Sequence, residues 1–143
     1  ENMDALRRRL GEIAQRELAG LDLRPMLRAD LEIPLALMRP SYLDEIEMLQ
    51  PTGMGNPDAV FVSRHVQVVN ARTVGSEANH LRLTVKDGGV TYAAIAFRQG
   101  HWAGNLPTYI DLMYTYELNV YNGQKSMQLN VIDLKLSEEE NSA

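Results

Sequence analysis

Two periods divide the chain. From Asn2 to Leu18, apolar residues fall at Met3, Leu6, Leu10, Ile13, Ala14 and Leu18, a three-and-four spacing that lays one stripe along an amphipathic helix. Asp4 suits the positive end of that helix, and Gly20 is placed to stop it. From Val60 onward the period is two. Val60 to Val74 predicts a long first strand with a bend or bulge near Asn70-Ala71, and Leu81 to Lys86 alternates Leu81, Leu83 and Val85 against Arg82, Thr84 and Lys86. Asp87-Gly88-Gly89 marks a hairpin turn into a third strand, Thr91 to Phe97. Arg98 to Pro107, with Gly100 and Gly104 around His101-Trp102, is too irregular for a strand. Trp102 is expected to plug one end of the fold. Tyr114 to Tyr121 predicts the fourth strand, Asn122-Gly123 a second hairpin turn, and Ser126 to Leu136 the fifth.

Between the two halves the signals are shorter. Leu31, Ile33 and Leu35 alternate with Asp30, Glu32 and Pro34, as in an edge strand that tolerates proline, although few neighbours are in view to complete its sheet. Ser41 reads as the N-cap of a second helix running to Pro51, with Asp44-Glu45 in its first turn and Leu43, Ile46, Met48 and Leu49 as contacts. Pro51, Gly53, Gly55, Asn56 and Pro57 then build a loop stiff at its edges and permissive in its middle. The plain reading is a hinge that seats the next strand; a ligand-binding loop is the alternative. It is no dinucleotide fingerprint, because it precedes a strand where that motif follows one.

Five strands, the first long and bent, with an insertion after the third and two tight hairpins, point to a small OB-fold barrel, with an SH3-like barrel as the structural rival. The fold class is mainly β with N-terminal helices (α+β), the barrel being preceded by a helix-strand-helix segment. The expected organisation is residues 1–50 as tail and connector of a preceding domain, 51–137 as the barrel, and 138–143 as an acidic flexible tail.

Composition narrows the function. With 143 residues and 45% hydrophobic content, the chain has room for one core and an appendage, and it reads as globular. It has no cysteine, which suits a reducing cytoplasm, and no apolar run of bilayer length. Its first residue, Glu1, fits a processed or truncated chain. The net charge of −5 opposes nucleic-acid binding at first sight, yet from Pro51 to Leu136 seven bases face six acids. The acidity sits in the helical half and in Glu138-Glu139-Glu140. Arg7-Arg8-Arg9 does not make a patch, since three successive residues point around most of a helix. His65, His80 and His101 show no ligand spacing, and Asp111 and Asp133 belong to separate elements, so no catalytic or metal-ligating residue is expected.

The order of motifs adds a family. Leu27-Arg28-Ala29-Asp30-Leu31-Glu32-Ile33-Pro34-Leu35, the loop Pro51 to Pro57 with Phe61 after it, Val74-Gly75, Leu81-Arg82-Leu83, Ala94-Ile95-Ala96-Phe97, and Leu118-Asn119-Val120-Tyr121-Asn122-Gly123 followed by Gln128-Leu129 resemble the C-terminal part of the RecJ family of bacterial single-strand-specific exonucleases. The resemblance covers most of the chain. It implies the end of a DHHA1-type domain followed by an OB domain, in a cytoplasmic bacterial enzyme of DNA recombination and repair. It also implies that the catalytic DHH domain and its Mn or Mg lie outside this chain. The expected partners are single-stranded DNA, the remaining DHH and DHHA1 domains, and a single-strand-binding protein.

On such a barrel, ligands sit on the outer face of strands two and three and in the flanking loops. The candidate nucleic-acid residues are therefore Arg72, Arg82, Lys86, Arg98 and Lys125 for phosphates, with Tyr92 or Tyr121 for stacking; Arg72 and His80 lie beside the first loop. Tyr114 and Tyr116 fall on the core side. The other class of function is an architectural barrel that docks a catalytic domain or repair partner. A third is a groove completed only by domains outside this chain.

Overall fold

In a computed structural model, which describes residues 2–22 and 25–138 and leaves aside the side chains of Tyr121 and Lys125, the period-two half closes on itself. The elements are α1 (Asn2–Leu18), β1 (Leu31–Glu32), α2 (Tyr42–Glu47), β2 (Phe61–Val74), β3 (His80–Asp87), β4 (Val90–Ala96), β5 (Tyr109–Tyr121) and β6 (Gln124–Leu136). Strand order is β1-β2-β3-β4-β6-β5, and β2 pairs with β5 to close β2 to β6 into a five-stranded barrel. The β4–β6 pair is parallel and the other barrel pairs are antiparallel, so the barrel is an OB fold.

Alternation fills the interior. Leu81, Leu83 and Val85 of β3, Tyr92, Ala94 and Ala96 of β4, and Ile110, Leu112, Tyr114 and Tyr116 of β5 all point inward with Val66, Leu129, Val131 and Leu134. Each large aliphatic side chain so buried contributes about 1.5–3 kcal/mol. Bulges keep this parity where strands bend: the β2–β3 register shifts between Val68 and Asn70, which turns Val69 outward, close to the expected bend. A second shift, between Ser63 and Val66, puts His65 at φ +53°.

Both hairpins form as their residues require. Asn122 and Gly123 both take positive φ, the geometry that a two-residue Asn-Gly turn supplies. At Gly100, a side chain is excluded by space, because an added Cβ would lie 2.6 Å from the Ala78 carbonyl oxygen. The short 3-10 turn Gly100–Trp102 is thereby pressed onto the loop after β2, and Trp102 packs half-buried against the core.

Several expectations change. β5 begins at Tyr109 instead of Tyr114, because Asp111 interrupts the apolar alternation in sequence while Ile110 and Leu112 still point inward. The Leu27 to Leu35 strand shrinks to Leu31–Glu32, and it joins the barrel sheet, parallel to Phe61-Val62 of β2. Ser41 precedes α2, but its side chain caps nothing. Across the division expected at 50/51, Leu35, Met38 and Leu43 share the barrel's hydrophobic core. Barrel side chains also grip this segment: Ser63 Oγ donates to the Ile33 carbonyl (2.7 Å), Tyr92 Oη to the Met38 carbonyl (3.0 Å), and Asp87 Oδ2 accepts from the Ala36 amide (2.9 Å). Residues Glu139 to Ala143, most of the expected acidic tail, lie outside the described residues.

The helix α1 forms as its stripe predicts, yet none of its residues is buried, and Met3, Leu6, Leu10 and Ile13 remain exposed.

Candidate nucleic-acid interface

The outer wall of β2, β3 and β4 is set by the same alternation that builds the core. With Leu81, Leu83 and Val85 inside, Arg82, Thr84 and Lys86 must face out. Register then fixes their neighbours: Arg82 lies directly opposite Arg72 of β2 and Ile95 of β4, Thr84 opposite Asn70 and Ala93, and Lys86 opposite Gln67 and Thr91. Two arginines face each other across adjacent strands, an arrangement that costs stability through like-charge repulsion. Among the described residues neither Arg72 nor Arg82 has an acidic partner, and the same holds for Lys86 and Arg98.

One end of this wall is aromatic. His80 and Phe97 meet edge to face with ring centroids 5.2 Å apart, and the Arg98 amide donates to His80 Nδ1 (3.0 Å). That bond is made where Arg98 turns to φ +58°, ending β4 and leaving Phe97 on the outer face, 53% exposed. Phe97 escaped the sequence reading because it closes an otherwise apolar strand; the parity of Tyr92, Ala94 and Ala96 pointing inward is the signal that would have found it.

Tyr92 is a correction. That same parity turns it into the barrel, where it is 8% exposed, stacks edge to face on Tyr116 and accepts a hydrogen bond from the Tyr116 hydroxyl (3.3 Å). Its ring therefore offers no surface to a base. Tyr114 and Tyr116 are core residues, as expected; burial pushes the Tyr114 hydroxyl, which shares a hydrogen bond with Ser63, up to about 12, and burial raises Tyr116 as well. Tyr121 and Lys125 flank the β5–β6 turn, and their side chains lie outside the described part of the structure. The loop Pro51 to Pro57 closes on itself: Gly53 and Asn56 exchange backbone hydrogen bonds, and Asn56 Nδ2 donates to the carbonyls of Leu49 and Pro51 (both 2.9 Å).

Where β2 pairs with β5, the charges are arranged differently. Asp111, buried, accepts from the His65 amide at the bulge (3.0 Å) and pairs with Arg64 (3.2 Å) and Lys135 (3.6 Å). Arg64 also pairs with Glu32 of β1 (2.9 Å). Burial alone would raise the Asp111 carboxyl, but the His65 amide, the Ser137 hydroxyl, Lys135 and Arg64 together hold it below the ordinary carboxylate value. His65 stacks flat on Tyr109, centroids 4.1 Å apart. Among the described residues no group of three or more His, Asp or Glu is placed to hold a metal ion, and no helix is long and apolar enough to cross a membrane.

An OB barrel with an unneutralised basic wall is the class that this geometry defines. Residues 29–133 match the family described as the RecJ OB domain, and the chain belongs to that family. Over 140 residues, 96% of this chain, it is 27% identical to the single-stranded-DNA-specific exonuclease RecJ of Bacillus subtilis (strain 168), of which it spans 18%. Crystal structures of RecJ from Thermus thermophilus, one with Mn2+ and one with Mg2+, superpose with a TM-score of 0.70 each, at 24% and 26% identity over 94% of this chain and 19% and 20% of theirs. The chain thus corresponds to about a fifth of these relatives.

Proposed function

We propose that this domain holds single-stranded DNA for a RecJ-like exonuclease, guiding it toward a catalytic centre carried by another part of the parent protein, in a bacterial cytoplasmic pathway of DNA recombination and repair. The observation that carries this reading is the Arg72–Arg82 pair, directly opposed on neighbouring strands with no acid among the described residues to neutralise it. Like charges at paired positions cost stability unless an anion joins them, and a phosphodiester is the anion that the family's substrate supplies. Lys86, four residues along β3 from Arg82, extends the basic track by about 13 Å, and Arg98 lies at the other end. On this reading the fragment has no catalytic group of its own; Mn or Mg belongs to the DHH domain. The stretch before about residue 29 would lead from the barrel to the DHHA1-type domain, while residues 30–43 pack as part of the barrel and the closed Pro51 to Pro57 loop seats β2 within it.

The test is fluorescence anisotropy of labelled oligo-dT as salt is raised. Four phosphate contacts predict a log–log slope of about −3, which is roughly a fiftyfold loss of affinity for a fourfold rise in salt. No binding by the folded chain rejects autonomous DNA binding, and binding insensitive to salt rejects the basic wall as the phosphate site. A second reading, a barrel that docks other domains or a single-strand-binding protein, is favoured by the wholly exposed apolar stripe of α1. Docking by that stripe would survive salt.

A further inference from the structure

We infer that Phe97 is the platform on which a nucleobase stacks, and that it gives the basic wall its preference for single strands over duplex; this rests on the reading of that wall as a DNA surface. A benzyl side chain 53% exposed at a strand end is a cost that packing does not explain, since its neighbours Ala94 and Ala96 fill the interior without it. It is also held in place. His80 meets it in a T-shaped contact at 5.2 Å, and His80 is itself fixed by the Arg98 amide at 3.0 Å, so the ring is braced on one side while about half of the residue stays exposed.

Its place relative to the charges completes the argument. Phe97 shares the outer face of β4 with Ile95, and Ile95 lies opposite Arg82, which lies opposite Arg72. The ring therefore stands about 7 Å along the strand from the row that carries both guanidiniums, which puts a stacking surface next to a phosphate site. The floor between Phe97 and Thr84 is made of Ile95 and Ala93, without charge. Guanidiniums bind the phosphates of either form of DNA. Only an unpaired strand can turn a base face onto Phe97, because in a duplex those faces are covered by neighbouring base pairs.

The experiment compares Phe97→Ala and Phe97→Trp with the parent chain by anisotropy at one low salt concentration, using oligo-dT, an abasic oligomer of equal length, and a duplex. Phe97→Ala should bind oligo-dT about tenfold more weakly, down to the level of the abasic oligomer, with abasic and duplex binding unchanged; Phe97→Trp should restore oligo-dT binding. Circular dichroism checks that both variants are folded, as substitution at an exposed site leads one to expect. Phe97→Ala binding oligo-dT like the parent, or weakening all three probes equally, overturns this inference while leaving the wall as a DNA surface. Failure of the parent chain to bind oligo-dT overturns the underlying reading and this inference with it.

Discussion

Arg64 and Arg82 are both exposed arginines on barrel strands, one in the first half of β2 and one in β3, yet the fold treats them in opposite ways. Arg64 is held by Glu32 and Asp111, and its guanidinium is engaged in tying β1 and β5 to the β2 bulge. Among the described residues Arg82 has no carboxylate partner, and across the strand pair it meets another arginine, Arg72. Counting bases could not separate them, because the barrel's near balance of seven against six averages a neutralised wall with an unneutralised one. The lesson is that the place where charge is left unpaired, and not the total, marks the surface for an anion.

The largest break in this contrast comes from Asp111. Asp111→Ala removes the carboxylate that accepts from the His65 amide and strips Arg64 and Lys135 of their shared partner, and should lower stability by about 1.5–3 kcal/mol in urea denaturation, the worth of a hydrogen bond to a charged group. The wild-type carboxyl also gives the wall an acid dependence. Its folded pKa is depressed, so its contribution is complete above the unfolded carboxyl range near ~4 and is lost as pH falls through the lower native value. Asp111→Ala should remove that component of acid lability; a variant that keeps the parent's profile in acid would show that other carboxylates are responsible.

A smaller effect sharpens the comparison by crossing the two arginines. Arg82→Ala should flatten the salt dependence of oligo-dT binding by about 0.7 in log–log slope, one phosphate's share, whereas Arg64→Ala should leave the slope unchanged and lower the urea midpoint only slightly, since its ion pairs are made by an exposed guanidinium. Equal slopes for both variants would mean that the β2–β3 wall has no special part in binding.

The two regions were not equally legible in the sequence. The β2–β3–β4 wall follows from period two and from hairpin chemistry, so Arg82 and Lys86 could be placed on one face from the sequence, whereas Arg72, expected beside the first loop, joins that face only through the register after the β2 bulge. Parity also held the answer for Tyr92 and Phe97, but the choice between them depends on which residues of Val90–Ala96 point inward, and an apolar run does not say. The β2–β5 wall was nearly invisible. Asp111 reads as a break in an apolar pattern, and its partners Arg64, His65 and Lys135, with Glu32 beyond Arg64, lie far off in the chain, joined only by a bulge and barrel closure. The grip on residues 30–43 was hidden for the same reason: hydroxyls of Ser63 and Tyr92 reach backbone carbonyls that carry no side-chain signature. Helix α1 shows the converse, since its stripe predicted a helix but could not say what covers it.

The smallest expected effect decides most about the origin of the contrast. If Arg72 and Arg82 face each other for the sake of a ligand, the free domain bears their repulsion, and Arg72→Gln should raise its stability in the absence of DNA by about 0.2–0.5 kcal/mol. The gain should fade in high salt, because exposed charges are screened over a Debye length of about 3 Å at 1 M. It should also reverse in saturating oligo-dT, where the parent chain gains binding energy that the variant lacks. A loss of stability on Arg72→Gln without DNA would mean that the guanidinium's aliphatic stem packs on the sheet for structural reasons, and the wall would then be basic by consequence of folding instead of by selection for phosphate.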